Sequence, residues 1–232
     1  MSRLAVSIHG TGHIGLPQGA VWAQHGIDVV CYDTNESLIR ELSRGTIRIK
    51  ETGLDEIVKS SVEAGLLRFS SNLVDTVQNR RIHVLTVPTP RSEDGTADTQ
   101  YVERAALGIA ACASGSKDQG LRLYVIKSTV PVGTAQRVRS LLEEKGYGNF
   151  IVVSCPEFMP EGRAIQDLTK PSRIVVGVDH SSPITNRPLI SCTKSTPRSC
   201  KITPKSSWSC PMKGPNWSNM AQTASLPPRL LS

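Results

Sequence analysis

This sequence lacks long apolar runs, has few cysteines, and contains no acidic residue after position 180. No stretch approaches the ~20 consecutive apolar residues of a membrane-spanning helix, and the first residues show no apolar signal segment. We therefore expect a cytoplasmic protein with no membrane partner. The six cysteines are too few for a disulfide scaffold and their spacing fits no metal site, so reduced thiols and no bound metal are predicted.

The absence of acids divides the chain into two kinds of sequence. Residues 181–232 contain seven Lys and Arg residues and no Asp or Glu, which leaves 20 basic residues (27 minus 7) and 20 acidic residues in 1–180. The whole net charge of +7 thus lies in the tail, where Ser and Pro are abundant and no periodic hydrophobicity occurs. Such a segment cannot bury enough apolar surface to fold. We predict one folded domain over residues 1–180 and a disordered, Ser/Pro-rich basic tail over residues 181–232.

The first 180 residues alternate short β-rich runs with amphipathic stretches. Strands are predicted at residues 4–8, 27–32, 82–87, 121–127, 150–153 and 174–178. Helices are predicted at residues 15–25, 98–114 and 132–145. Strands that alternate with helices form parallel sheets covered on both faces. The predicted fold class is therefore α/β, a Rossmann-like doubly wound parallel sheet.

A glycine loop joins the first predicted strand to the first predicted helix. Residues 10–15, GTGHIG, fit the pattern GxGxxG, and Asp33 ends the second strand. In dinucleotide-binding folds Gly10 would permit the tight turn, Gly12 would let the backbone approach the pyrophosphate, and Gly15 would allow close helix packing. Asp33 would accept hydrogen bonds from ribose hydroxyls and repel a 2′-phosphate. The loop predicts NAD rather than NADP as cofactor; the alternative is a glycine-rich turn with no ligand.

Three further segments follow predicted strand ends, where ligands of open α/β sheets bind. They are residues 87–90 (VPTP), 127–134 (KSTVPVGT) and 154–159 (SCPEFM). Each combines one or two prolines, which stiffen a turn, with polar side chains that can face a crevice. Simple turn chemistry is the alternative for any one of them, but their recurrence after successive strands favours one shared site.

These motifs, in this order, resemble the UDP-glucose/GDP-mannose dehydrogenase family of nucleotide-sugar 6-dehydrogenases. The resemblance runs through nearly all of residues 3–180 and also includes ETGLDE (51–56), DGTAD (94–98), EG (161–162) and RIVVG (173–177). It implies a two-step, NAD-dependent oxidation of the primary alcohol of a UDP- or GDP-sugar to a carboxylate. In such enzymes a cysteine thiolate from a C-terminal domain forms the covalent intermediate.

The resemblance also implies roles for individual residues. The implied cofactor-binding residues are Gly10, Thr11, Gly12, His13, Ile14, Gly15, Asp33, Thr89, Thr129 and Glu157. Glu157 is the implied catalytic carboxylate that manages protons and water near nicotinamide and sugar, and Thr129 would help to hold that water. The implied substrate-binding residues are Cys155, Pro156, Glu157, Phe158 and Met159. Cys155 stands where the family usually has Asn, and it is not the family's nucleophile.

The tail does not continue the family pattern, and its composition suggests translation out of frame. Trp and Met have single codons, so residues 215–223 (PNWSNMAQT) can be reread from the third base of each codon. Asn216 with Trp217 then forces Leu, Met220 with Ala221 forces Gly, and permitted choices elsewhere give LVKYGSN. That string resembles the family's central helix with its active-site Lys and Asn. We therefore expect a frameshifted N-terminal fragment that is inactive alone, because it lacks the thiolate, the Lys and the Asn.

Three other functions stay open. A stand-alone NAD-binding or regulatory domain would bind the cofactor and remain soluble. A nucleic-acid-binding protein would use the basic tail, in which Trp208 and Trp217 could stack on bases, although the tail has no dense charge cluster. A β-hydroxyacid-type dehydrogenase is disfavoured by the segment around Glu157. The predicted partner is a small-molecule nucleotide sugar and not nucleic acid, and full-length relatives are expected to be homo-oligomers.

Overall fold

The computed structural model of the protein describes residues 3–93, 95–116, 118–160, 162–171, 174–178, 201–203 and 207–210. The strands are β1 (Ala5–His9), β2 (Asp28–Tyr32), β3 (Leu67–Ser70), β4 (Ile82–Leu85), β5 (Arg122–Ile126), β6 (Phe150–Ser154), β7 (Ile174–Val178), β8 (Lys201–Thr203) and β9 (Ser207–Cys210). The helices are α1 (Gly15–Gln24), α2 (Glu36–Ser43), α3 (Leu54–Glu63), α4 (Leu73–Val77), α5 (Gln100–Ser114), α6 (Thr134–Glu144) and α7 (Ala164–Thr169). None of the described helices has the length and apolar character needed to cross a membrane.

The strands form one sheet in the order β3-β2-β1-β4-β5-β6-β7-β9-β8, and β1 to β6 run parallel. The chain first adds strands outward from β1 to β3 and then resumes on the other side of β1 with β4. A reversal of this kind is the topological switch point of a doubly wound sheet, outside which ligands bind. The predicted Rossmann-like α/β fold is confirmed.

Both faces of the sheet are covered by helices and carry a hydrophobic core. On one face Ile8 of β1 belongs to a buried cluster with Leu16 of α1 and Leu54 of α3. On the other face Ile126 of β5 belongs to a buried cluster with Ile109 of α5. Because successive side chains of a strand point to opposite faces, a sheet buried on both sides needs apolar residues throughout its strands. This explains why the strands could be recognised as continuous apolar runs.

β7 departs from the predicted parallel arrangement. It runs antiparallel to β6, with Val153 opposite Val178 and Ser154 opposite Gly177. A parallel strand at this place would need a crossover back to the edge where β6 begins. The connection instead contains the six-residue α7, which packs against α1, and it enters β7 from the edge where β6 ends. The parallel arrangement therefore holds for β1 to β6, and β7 is antiparallel.

Two short pieces of the tail extend the sheet. β9 pairs antiparallel with β7, and β8 pairs antiparallel with β9. These pairings satisfy backbone groups that an edge strand would leave unpaired. The prediction of disorder is therefore wrong for residues 201–203 and 207–210. The rest of residues 181–232 lies outside the described residues, and there disorder stays a prediction.

Candidate cofactor site at the carboxyl edge of the sheet

The glycine loop lies between β1 and α1, at the edge where the parallel strands end. Gly10 has a φ of 104°, and a Cβ at this position would lie 2.6 Å from the carbonyl oxygen of Thr86, just after β4. A Cβ on Gly15 would overlap the carbonyl oxygen of Gly10. Both positions therefore require glycine so that the loop, α1 and the end of β4 can pack closely.

Gly12 differs from the other two glycines, because a Cβ there would have no atom within 4 Å. The first turn of α1 follows directly, and it has neither an acidic residue nor a side-chain cap. Unpaired N–H groups and the positive end of the helix dipole at such a terminus favour an anionic group. The open space at Gly12 together with this helix start fits the pyrophosphate of a dinucleotide.

Asp33 lies at the end of β2 and is fixed by the glycine loop. Its Oδ2 accepts hydrogen bonds from the backbone N and the Oγ1 of Thr11, each at 2.9 Å. Its Oδ1 accepts a hydrogen bond from the backbone N of Asn35 at 3.0 Å. The carboxylate is thus held at the loop on the β2 side of the switch point, where the ribose of an adenosine would lie.

Hydrogen bonds tie together the loops that follow β4 and β5. The Oγ of Ser128 donates to the carbonyl oxygen of Val87 at 2.6 Å, and the Oγ1 of Thr89 donates to the carbonyl oxygen of Thr129 at 2.9 Å. Thr86 Oγ1 donates to the carbonyl oxygen of Gly10 at 2.8 Å and so links these loops to the glycine loop. The segments that follow β1, β4 and β5 are therefore joined along one edge of the sheet.

A largely buried ion pair lies farther along the same edge. The Nζ of Lys127, directly after β5, lies 2.7 Å from the Oε2 of Glu157, which follows β6. The side chain of Lys127 is 4% exposed and that of Glu157 is 17% exposed. The Oε1 of Glu157 accepts a hydrogen bond from the backbone N of Phe158 at 3.0 Å. Both carboxylate oxygens therefore have fixed partners.

Cys155, two residues before Glu157 in the sequence, is buried. Its backbone N donates to the carbonyl oxygen of Ile126 at 2.8 Å, and only 4% of the residue is exposed. Burial raises the pKa of the Cys155 thiol, with nearby Lys127 acting in the opposite direction. A buried, protonated thiol is a poor nucleophile, in agreement with the expectation that Cys155 is not the nucleophilic cysteine.

The residues predicted for the site fall into two groups along the edge. The first group comprises residues 10–15 and Asp33 on the β1 and β2 side, with His13 exposed and Ile14 half-buried. The second comprises Thr89, Thr129 and residues 155–159 at the ends of β4, β5 and β6. Sequence reasoning missed Lys127 as a site residue. A lysine directly after a buried apolar strand was the available signal, because a buried ammonium requires a charged partner.

The comparisons with known proteins agree with this geometry. Residues 4–187 match the model of the UDP-glucose/GDP-mannose dehydrogenase family, NAD binding domain. UDP-glucose 6-dehydrogenase of Rhizobium meliloti (strain 1021) is 43% identical over 180 residues, which cover 77% of this chain and 40% of that protein. TuaD, a UDP-glucose 6-dehydrogenase of Bacillus subtilis (strain 168), is 40% identical over 174 residues, which cover 74% of this chain and 37% of that protein.

A solved structure shows the same architecture. The UDP-glucose dehydrogenase of the hyperthermophilic archaeon Pyrobaculum islandicum superposes with a TM-score of 0.72 at 35% identity, covering 78% of this chain and 42% of that one. The fold and the glycine loop define a dinucleotide-binding domain. The chain belongs to the UDP-glucose/GDP-mannose dehydrogenase family, whose members are NAD-dependent oxidoreductases, and residues 4–187 are its NAD-binding domain. It spans about 40% of the length of the curated relatives that it matches.

Proposed function

We propose that this chain is the cofactor-binding part of a nucleotide-sugar 6-dehydrogenase, which oxidises the primary alcohol of a UDP-sugar to a carboxylate. UDP-glucose is the foremost substrate candidate, because the relatives at 43% and 40% identity are named UDP-glucose 6-dehydrogenases. The observation that supports the proposal is the presence, along one edge of the sheet, of open space at Gly12, the Asp33 carboxylate bonded to the glycine loop and the Glu157 carboxylate. Bound NAD would supply the hydride acceptor.

The first group of residues would bind and orient the cofactor. Gly12 and the start of α1 would receive the pyrophosphate, and Asp33 would accept hydrogen bonds from the adenosine ribose. Thr89 and Thr129, whose loops are joined by a hydrogen bond, would line the path toward nicotinamide. A 2′-phosphate would meet the negative charge of Asp33, which favours NAD over NADP.

Glu157 would act where the cofactor and the sugar meet. A carboxylate held at a strand end can accept a proton from water or from the substrate hydroxyl. Residues 155–159 would border the sugar, and Thr129 would hold the water that hydrolyses the covalent intermediate. The nucleophilic thiolate that forms this intermediate would come from the part of the family's proteins that follows the NAD-binding domain.

The tail supports the idea that the chain is a frameshifted fragment. The family match ends at residue 187, close to the composition change after residue 180. We propose that residues beyond this boundary are encoded out of frame, so that the chain binds NAD but oxidises no sugar. A stand-alone NAD-binding domain is the second candidate function, because the matched region is the cofactor domain alone.

Frame correction tests both parts of the proposal. Insertion of one nucleotide at the boundary in the coding DNA should restore the LVKYGSN string, and the corrected protein should then reduce NAD with UDP-glucose as substrate. The uncorrected 232-residue chain should bind NAD and produce no NADH. Coding DNA that does not permit the LVKYGSN string would contradict the frameshift. NADH production by the uncorrected chain would contradict the proposed inactivity.

A further inference from the structure

The ion pair between Lys127 and Glu157 is unusual among the described residues for its burial. It is the one described ion pair in which both side chains are less than a fifth exposed, at 4% and 17%. A buried carboxylate without a cation is costly, and a buried ammonium without an anion equally so. Each charge is therefore compensated by the other, and the net charge of the pair is zero.

The position of this pair along the sheet determines which part of a dinucleotide it would face. Asp33 marks the adenosine side, at the end of β2. A dinucleotide that starts there and crosses the switch point between β1 and β4 extends toward the ends of β5 and β6. Lys127 follows β5 directly and Glu157 lies three residues after β6, so the pair lies on the nicotinamide side of the site.

We propose that Lys127 is a positioning residue that balances the charge of Glu157, so that the site does not favour the oxidised cofactor over the reduced one. This inference rests on the proposed placement of nicotinamide near Glu157. The nicotinamide ring carries a positive charge in NAD⁺ and none in NADH. An unbalanced Glu157 carboxylate would bind NAD⁺ more tightly than NADH and oppose the loss of positive charge that accompanies hydride transfer. An unbalanced Lys127 ammonium would have the opposite effect.

A four-variant comparison tests this inference through binding alone. The dissociation constants of NAD⁺ and NADH are measured by calorimetry at pH 8 for the 232-residue wild-type chain, Lys127→Met, Glu157→Gln and the double variant. Lys127→Met should raise the ratio of the NADH constant to the NAD⁺ constant roughly fivefold, as expected for one uncompensated charge several ångströms from the ring. Glu157→Gln should lower the ratio by a similar factor. The double variant should return it to the wild-type value.

Opposite shifts that cancel in the double variant distinguish charge balance from a merely structural role. Circular dichroism checks that each variant is folded, and if Lys127→Met fails to fold, Glu157→Gln and the double variant still test the sign and the cancellation. Arg81→Met is the matched control, because it removes the cation of the Arg81–Asp118 pair (2.8 Å) at the opposite edge of the sheet. It should leave the ratio unchanged.

Two outcomes would overturn the inference, and they have different meanings. If wild type binds both forms and the ratio does not move, or moves in the same direction in both single variants, charge balance is wrong while cofactor binding stands. If wild type binds neither form, the inference fails together with the cofactor site. Neither result depends on the identity of the sugar substrate.

Discussion

Gly10 and Gly12 lie two residues apart, yet a methyl group would meet different surroundings at each. At Gly10 it would approach the Thr86 carbonyl to 2.6 Å on a backbone with positive φ, whereas at Gly12 it would enter open space. The fold therefore requires the first glycine. The fold does not require the second, and we propose that the pyrophosphate of NAD occupies the open space beside it.

Alanine at the two positions should separate folding from cofactor binding. Gly12→Ala should leave the free energy of unfolding unchanged or raise it by up to about 1 kcal/mol, because its φ suits alanine. The same change should weaken NAD⁺ binding at least about tenfold by filling the pyrophosphate space. Gly10→Ala should lower the free energy of unfolding by about 2–4 kcal/mol through strain and overlap. Urea denaturation measures the free energy of unfolding, and calorimetry measures NAD⁺ binding. Equal destabilisation by the two substitutions would contradict this account.

Asp33 offers a second test at a single residue. Asp33→Asn should weaken NAD⁺ binding about tenfold, because hydrogen bonds to a charged acceptor are stronger than those to an amide. It should also reduce the difference in affinity between NAD⁺ and NADP⁺, because the negative charge that repels the 2′-phosphate is gone. Asp55→Asn, on the exposed side of α3, is the control and should change the dissociation constant of neither NAD⁺ nor NADP⁺. An unchanged preference for NAD⁺ in Asp33→Asn would exclude a role in cofactor selection.

Single residues also show where prediction from sequence stops. Asp33 could be predicted because its position at a strand end follows from local pattern and spacing. The ion pair of Lys127 could not, because its partner Glu157 is on a different strand end and only the tertiary fold brings the two together. The roles of Thr129 and Glu157 in catalysis stay predictions.

β1 and β4 bury three hydrogen-bonded polar side chains, Ser7, His9 and His83, in the core on the face of the sheet that α5 covers. The Oγ of Ser7 lies 2.9 Å from Nε2 of His9 and 2.7 Å from Nδ1 of His83, opposite it on β4. Burial lowers the pKa of His9 from 6.5 to about 3. Burial also places the pKa of His83 well below its ordinary value, with His9, Arg122 and Arg80 adding electrostatic repulsion. Both rings are therefore neutral in the folded protein at neutral pH.

This pair of strands should make the protein sensitive to mild acid. At pH values between the lowered pKa values and 6.5, the unfolded chain binds more protons than the folded one. The two histidines therefore do not reduce the free energy of unfolding above about pH 6.5, and they reduce it increasingly as the pH falls below that value. From pH 7.5 to 5.5 the free energy of unfolding should decrease by roughly 2–3 kcal/mol for the two histidines together. His83→Gln should reduce this decrease by about half. A free energy of unfolding that is equal at both pH values would contradict the prediction.

Strands with continuous apolar residues could be predicted from sequence, and short amphipathic elements could not. β1, β2, β4, β5, β6 and β7 lie within the predicted strands or one residue beyond them. β3 has four residues of which Leu67 is the buried one, so it gives no periodic signal. α7 depends on a distant contact: the Glu51 carboxylate accepts hydrogen bonds from the backbone N of Gly162 and of Ala164, at 2.7 and 3.1 Å.

The whole molecule combines a sheet that lies mainly in the region matched by the family model with a tail of different composition. Its six parallel strands, switch point and glycine loop lie within the family's NAD-binding domain, and we propose that NAD binds at this edge of the sheet. The sheet is completed by an antiparallel β7 with β9 and β8 beyond it. The chain spans about 40% of the length of the curated relatives. We therefore propose, and do not assign, the oxidation of a sugar to it. NAD binding is its central property.

Titration of NAD⁺ into the whole 232-residue chain by calorimetry, beside the Gly12→Ala variant, tests that property most directly. We predict saturable binding of one NAD⁺ per chain, weakened at least about tenfold when a methyl group fills the space at Gly12. Absence of saturable binding by the wild-type chain, or equal binding by a folded Gly12→Ala variant, would contradict it.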